Sequence, residues 1–378
     1  MKVLIHSNGP MEPTGYGLQT RMLLPRLKEM GYQPFVSAFS GLHGSAIMWD
    51  GTPILPSGML PFGIDMVVPH ARITGADLLL FLMDFREMMP VARELRELNT
   101  AAWIPIDTYP LSKPEAHALR LSGARPIAMS KFGLAQLSEY GFPEPLYVPH
   151  AVDTRIFQPM QPAERDEARA QLGWSDRFVV GINAANYDAV RKGWPEQFAA
   201  FAAFRKEFPE ALLAVHTIPQ SRTGLDLPAL AEDMGISDAV WFADQYQILA
   251  GNATPEDMAQ WYSLIDVLSA CSYAEGFGVP VIEAQACGTP VISTNGSAMM
   301  ELNPLGYLVD GTPFWNHVHR AWWTRPDTDA IASAYATIFK SRPTEREIGQ
   351  MIALAGEYDT RVVAHKYWEP VLRELTAE

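Results

Sequence analysis

Between Ala274 and Ser293 the sequence reads AEGFGVPVIEAQACGTPVIS, and its residue types could handle a phosphate and a sugar. Gly276 and Gly278 let a backbone pass close to a ligand and adopt positive φ. Pro280 suits the first turn of a helix, where its missing N–H costs nothing. The unpaired N–H groups of a helix start, with the helix dipole, attract an anion. Glu283 then falls in the first turn and Glu275 in the loop before it. Two carboxylates beside a phosphate must sit on its flanks, where they can accept hydrogen bonds from sugar hydroxyls. Taken alone, such a pair reads rather as acidic residues stabilising a helix N-terminus. Upstream, Arg191 and Lys192 form a cationic pair that in isolation reads as a solvated loop pair. Near the N-terminus, Gly15 and Gly17 in PTGYG follow an apolar run and open a helical stretch. By itself that pattern is a tight turn. Asp107, in WIPIDTY, ends another apolar run and either caps the next turn or binds a hydroxyl.

Short apolar runs alternate with helical patterns on both sides of a break near residue 160. In the first half the expected strands are Val3–Ile5, Pro34–Phe39, Asp77–Met83, Ala101–Ile106, Pro126–Met129 and Leu146–Val148. Helices are expected over Leu18–Met30, Met88–Leu98 and Lys131–Tyr140. The stretch from Phe157 to Glu167 has two prolines and a charge run without apolar period, and reads as a linker. Afterwards strands at Phe178–Ile182, Ala211–Val215, Val240–Phe242, Asp266–Ala270 and Pro290–Ser293 alternate with helices, and a final helix runs from about Arg361 to Leu375. Strands apolar on both faces and separated by helices make parallel sheets covered on both sides. Two doubly wound α/β domains in tandem would bind ligands at the carboxyl ends of their strands.

The spelling EGFGVPVIEAQACGTPV resembles the signature EGFGxPxxEAxACGxPV of retaining GT-B glycosyltransferases of group 1 (family 4). The resemblance implies a GT-B fold, two Rossmann-like domains facing across a cleft. It implies an acceptor-side domain over residues 1–158, a donor-binding domain over 159–358, and a helix over 359–378 packing back on the first. It implies that Glu275 touches the transferred sugar, that Glu283 holds the ribose, and that amides around Gly276, Phe277, Gly278 and Val279 face the donor's diphosphate. Lys192 matches the lysine that neutralises the leaving group. The family's arginine is replaced by Asn186, with Arg191 as a substitute, and Asp107 stands where many members carry a histidine. Gly15 and Gly17 match the glycine loop. No metal or bound cofactor is implied, only a nucleotide-diphosphate sugar as substrate. The spelling NAANYDAVRKGW is similar to relatives encoded by bacteriophages, which implies a modified nucleobase or a phage protein as acceptor.

The 378 residues are 48% hydrophobic and 19% charged, the composition of a folded chain with a full core. A net charge of −14 excludes a protein that lives by wrapping anionic polymers. Residues 1–160 hold 13 basic and 14 acidic residues, so nearly all the excess lies in the second half. Cys271 and Cys287 read as buried hydrophobes of a reducing compartment. No apolar stretch has the length of a membrane span or a signal sequence, and the protein is expected to be cytoplasmic without stable membrane association. Two alternatives share the fold: a nucleotide-sugar 2-epimerase, and a sugar-nucleotide binder without catalysis.

Overall fold

The computed structural model describes residues 1–377, and its contacts divide the chain into two units. The first comprises Met1–Ala151, Asn316–Ala321 and the chain from Tyr358 onward. Its elements run β1 (Lys2–Asn8), α1 (Gly15–Glu29), β2 (Gln33–Ser40), β3 (Ile47–Trp49), β4 (Thr52–Leu55), α2 (Val67–Thr74), β5 (Leu78–Leu82), α3 (Ala92–Leu95), β6 (Thr100–Ile104), α4 (Lys113–Ser122), β7 (Arg125–Ala128), α5 (Lys131–Glu139) and β8 (Leu146–Tyr147). The strands form one sheet in the order β3-β4-β2-β1-β5-β6-β7-β8. Central strands such as Leu78-Leu-Leu-Phe-Leu82 are buried at every position, as strands covered on both faces must be. The order reverses between β1 and β5, the switch point at which doubly wound sheets open a crevice. Only β3 runs antiparallel, joined to β4 through Asp50 and Gly51, both at positive φ. That Asp-Gly pair is a hairpin signal the expected strands omitted.

Two expectations for this unit change. The helix expected over Met88–Leu98 is a 3₁₀ segment over Phe85–Val91 followed by the single turn of α3. Pro90 lacks the N–H an α-helix needs there, and its ring disfavours the α region for Met89. The final helix is not uniform: α15 (Thr360–Val363) passes through a π turn over Ala364–Trp368 into α16 (Glu369–Leu375). Pro370 cannot donate in the regular ladder, and the Glu369 N–H reaches back to the Ala364 carbonyl instead. Trp368 packs edge-on against Trp103 at 4.8 Å and Tyr367 against Tyr147 at 5.3 Å, so this helix lies on the first unit's own strands. Residue 378 of the expected 359–378 helix lies outside the described residues.

The second unit comprises Val152–Trp315 and Trp322–Glu357. It contains α6 (Pro162–Gln171), β9 (Phe178–Asn183), α7 (Trp194–Glu207), β10 (Ala211–His216), α8 (Leu227–Asp233), β11 (Val240–Phe242), α9 (Gln245–Leu249), α10 (Pro255–Leu264), β12 (Val267–Ala270), α11 (Val279–Ala286), β13 (Val291–Thr294), α12 (Met299–Leu302), β14 (Tyr307–Val309), all but the joined end residues Asn316 and Ala321 of the strands β15 (Gly311–Asn316) and β16 (Ala321–Pro326), α13 (Thr328–Lys340) and α14 (Glu345–Gly356). Six parallel strands take the order β11-β10-β9-β12-β13-β14, and β15 with β16 makes a separate two-stranded ribbon. The core gathers Phe178, Trp194, Phe198, Phe201, Phe204 and Tyr335. Cys271 and Cys287 are buried free thiols.

The expected linker is mostly helix. Pro162 starts α6 and Ala, Glu and Arg propagate it. The helix lacks an apolar stripe because charge holds it down. Arg169 donates to the carbonyls of Leu264, Trp174 and Arg177, and Arg165 to that of Ser263, while both guanidinium groups pair with Asp266.

Candidate active site

The helix α11 begins at Val279, with Gly278 as its N-cap at φ 109° and ψ 53°. That left-handed conformation strains any residue with a Cβ, which explains the glycine. Starting one residue earlier than expected moves Pro280 to the second position and Glu283 out of the first turn. No side chain caps this helix start. The glutamates of the motif are therefore not capping residues.

Glu275 is instead the hub of a charge cluster. Its Oε1 lies 2.5 Å from Lys192 Nζ and its Oε2 3.0 Å from Arg191 Nη1. The Ser272 hydroxyl donates to Oε1 at 2.7 Å, and the Glu275 N–H donates to Ser297 Oγ at 3.0 Å. Burial acts to raise the Glu275 pKa, but Lys192 and then Arg191 outweigh it and hold it at about 2. The three ionised groups sum to one positive charge. The loops are tied together through the backbone: the Tyr273 N–H donates to the Arg191 carbonyl at 2.8 Å, and the Tyr273 carbonyl accepts from Thr324 of β16 at 3.1 Å.

Glu283 faces a second polar group. It accepts from the Tyr262 hydroxyl at 2.8 Å, and that hydroxyl accepts from Asn183 Nδ2 at 2.7 Å. Since the tyrosine proton is committed to the carboxylate, Asn183 must present its Nδ2 there and its Oδ1 to His216. His216 Nδ1, 3.2 Å away, then carries the proton of that bond. Burial lowers His216 to about 4, so the ring is neutral near pH 7. Burial also raises Glu283 to about 7, with the Tyr262 bond pulling the other way. Asn183 and His216 end the adjacent parallel strands β9 and β10, the edge at which such sheets bind ligands.

Asn186 is committed to its own fold. Its amide donates to the carbonyls of Ile218 and Leu225 and accepts from the Leu225 N–H, closing the 218–225 loop. Arg191, not Asn186, stands beside Glu275. In the first unit, Thr14 caps α1 by accepting from the Gly17 N–H, and a Cβ on Gly17 would collide with the carbonyl oxygens of Glu12 and Gly9. No atom crowds the corresponding position on Gly15. Asp107 follows β6 and belongs, with Asp84, Glu115 and Glu87, to the carboxylates surrounding Arg86. Burial, then Asp84, raises Glu115 to about 8. Sequence reasoning missed Ser272, Ser297, Asn183, His216 and Tyr262. Only the strand-terminal positions of Asn183 and His216 offered a signal. Asp327 and Asp329 have the Asp-x-Asp spacing of many metal-dependent transferases, but Asp327 is the N-cap of α13. Among the described residues, no group of three His, Cys, Asp or Glu could hold a metal, and no helix is long and apolar enough to cross a membrane.

Two Rossmann-like units with parallel sheets define the GT-B class of glycosyltransferases. Sucrose-phosphate synthase from Thermosynechococcus elongatus matches with a TM-score of 0.77 and 20% identity over 100% of this chain and 99% of that one. Anabaena HepE in complex with UDP-glucose matches with a TM-score of 0.72 and 18% identity over 98% and 99% of the chains. Residues 164–351, just under half of the chain, match the family described as glycosyl transferases group 1. A D-inositol 3-phosphate glycosyltransferase of Rhodococcus opacus is 31% identical over 158 residues, which span 40% of this chain and 34% of that protein. Its counterpart in Paenarthrobacter aurescens is 31% identical over 55% of this chain and 46% of the relative.

Proposed function

We propose that this protein is a retaining glycosyltransferase that moves a sugar from a nucleotide-diphosphate sugar to a hydroxyl acceptor without a metal ion. The observation that carries the reading is the Arg191–Lys192–Glu275 cluster in the same unit as the uncapped start of α11. Departure of the diphosphate builds negative charge at the sugar–phosphate bond. Lys192, Arg191 and the amides at the start of α11 are fixed positive groups that stabilise such charge as it forms. Glu275, ionised throughout the physiological range, accepts hydrogen bonds from the sugar hydroxyls and holds both cations in place.

Glu283 accepts the ribose hydroxyls, backed by Tyr262 and Asn183. By the family resemblance, Asp107 is a hydroxyl-binding carboxylate and Gly15 and Gly17 belong to a phosphate-binding glycine loop. Asn186 supports the loop rather than the donor. HepE solved with UDP-glucose makes that compound the first donor to test, and the family match favours transfer over 2-epimerisation. Calorimetry with UDP-glucose and its GDP, ADP and TDP counterparts, followed by nucleotide release with a panel of acceptors, tests the reading. Tight donor binding with neither hydrolysis nor transfer across the panel would establish the binder without catalysis instead.

A further inference from the structure

The helix α4 presents two chemistries. Its buried side turns Glu115 toward the Arg86 N–H, whereas Lys113, His117 and Arg120 recur at spacings of four and three and share the outer face. These three, with Pro114, Tyr140 and Arg320, line a cavity of about 420 Å³, within the size range of small-ligand sites. All six residues belong to the first unit. None is acidic, and among the described residues no carboxylate pairs with any of the four basic side chains. Arg120 is oriented by the Tyr140 carbonyl at 3.0 Å and by the Tyr140 and Phe142 rings, 4.9 and 5.4 Å from its guanidinium carbon. In a chain of net charge −14, cations that converge on a hollow without counter-charge form a local positive field.

We propose that this cavity binds the phosphate group of a small phosphorylated molecule. Arg120 and Arg320 offer forked donors and Lys113 a point charge, the combination that recognises phosphate. Pro114 and the Tyr140 ring give an apolar wall for the organic part of the ligand. A nucleic acid is the wrong partner: it needs a basic stripe along successive phosphates, and here the cations surround one hollow. The assignment stands apart from the proposed transferase reaction, since it uses none of that site's residues.

Calorimetry of the full chain at low salt, with glucose 6-phosphate, inorganic phosphate and glucose as probes, tests it. The double variant Arg191→Ala/Lys192→Ala removes the other cationic site. We expect saturable binding of both phosphates, none of glucose, and retention of binding in that double variant. In Lys113→Ala/Arg320→Ala, and separately in Arg320→Glu, the dissociation constant should rise about tenfold or more, as for loss of charge-assisted bonds. All these side chains are solvent-exposed, so an unchanged melting temperature certifies the fold. Binding that vanishes in Arg191→Ala/Lys192→Ala but survives Lys113→Ala/Arg320→Ala would overturn the proposal. So would no binding of either phosphate, or binding of duplex DNA without binding of glucose 6-phosphate.

Discussion

Glu275 and Lys192 form an ion pair of 2.5 Å within a cluster of two cations and one carboxylate. This arithmetic separates binding from catalysis. In Glu275→Gln the cluster gains a full positive charge, so the dissociation constant for UDP should stay equal or fall. Transfer should nonetheless drop about 10²–10³-fold, the usual loss for one preorganised electrostatic group. Lys192→Ala should weaken both UDP binding and transfer. Calorimetry beside nucleotide-release assays on the two variants checks this, and weaker UDP binding by Glu275→Gln would mean that the carboxylate does more than hold the cations.

Glu283 gives the site a pH response. Its carboxyl is raised to about 7 by burial, so below that pH it is protonated and no longer a full acceptor for a ribose hydroxyl. Donor affinity should therefore rise from pH 6 to pH 8, and the rise should be absent in Glu283→Gln. Tyr262→Phe removes the bond that favours the ionised form and should shift the midpoint to higher pH. Folding follows the opposite sign. An acid whose folded pKa lies above its unfolded value stabilises the fold most at low pH, and that contribution is lost as pH rises through the window from 4.5 to about 7. Dissociation constants and denaturant midpoints measured across pH 4–8 test both signs.

What the sequence disclosed follows from how each part is held. Strands buried on both faces, such as Leu78–Leu82, announce themselves as continuous apolar runs. The motif around Glu275 is legible because glycine, proline and acid stand at fixed offsets. The partners Ser272, Ser297 and Tyr262 are common polar residues brought in by tertiary contact, and no local pattern marks them. The helix α6 was hidden for the reason that now makes it testable: charge replaces apolar area. Arg169 is buried and donates to three carbonyls as well as to Asp266. Arg169→Met leaves those three carbonyls without their side-chain donor and takes one partner from Asp266, which keeps Arg165 and Arg342. It should destabilise the second unit by about 3–5 kcal/mol, the range for breaking a buried pair. Arg373→Met, at an exposed i,i+4 pair with Glu369, should cost at most about 1 kcal/mol. Urea unfolding of the two variants makes the comparison.

The ribbon of β15 and β16 also reaches the candidate site. Tyr273, two residues before Glu275, donates its hydroxyl to the buried Glu196 at 2.7 Å, and Arg325 of β16 donates to the same oxygen at 2.9 Å. Phe314 of β15 packs edge-on against the Tyr273 ring at 5.2 Å. The Tyr273 backbone meanwhile bonds both the Arg191 carbonyl and the Thr324 N–H. Tyr273 is thus a positioning residue, holding the loop of Glu275 against the loop of Arg191 and Lys192. Tyr273→Phe keeps the ring contacts and removes only the hydroxyl. It should cost about 1.5–3 kcal/mol of stability, the usual value for a hydrogen bond to a charged group, and slow transfer more than it weakens donor binding. Tyr273→Ala also removes the packing and should lose both stability and transfer more severely. Equal kcat in wild type and Tyr273→Phe, with Tyr273→Ala impaired only through a lowered melting temperature, would reduce Tyr273 to a packing residue.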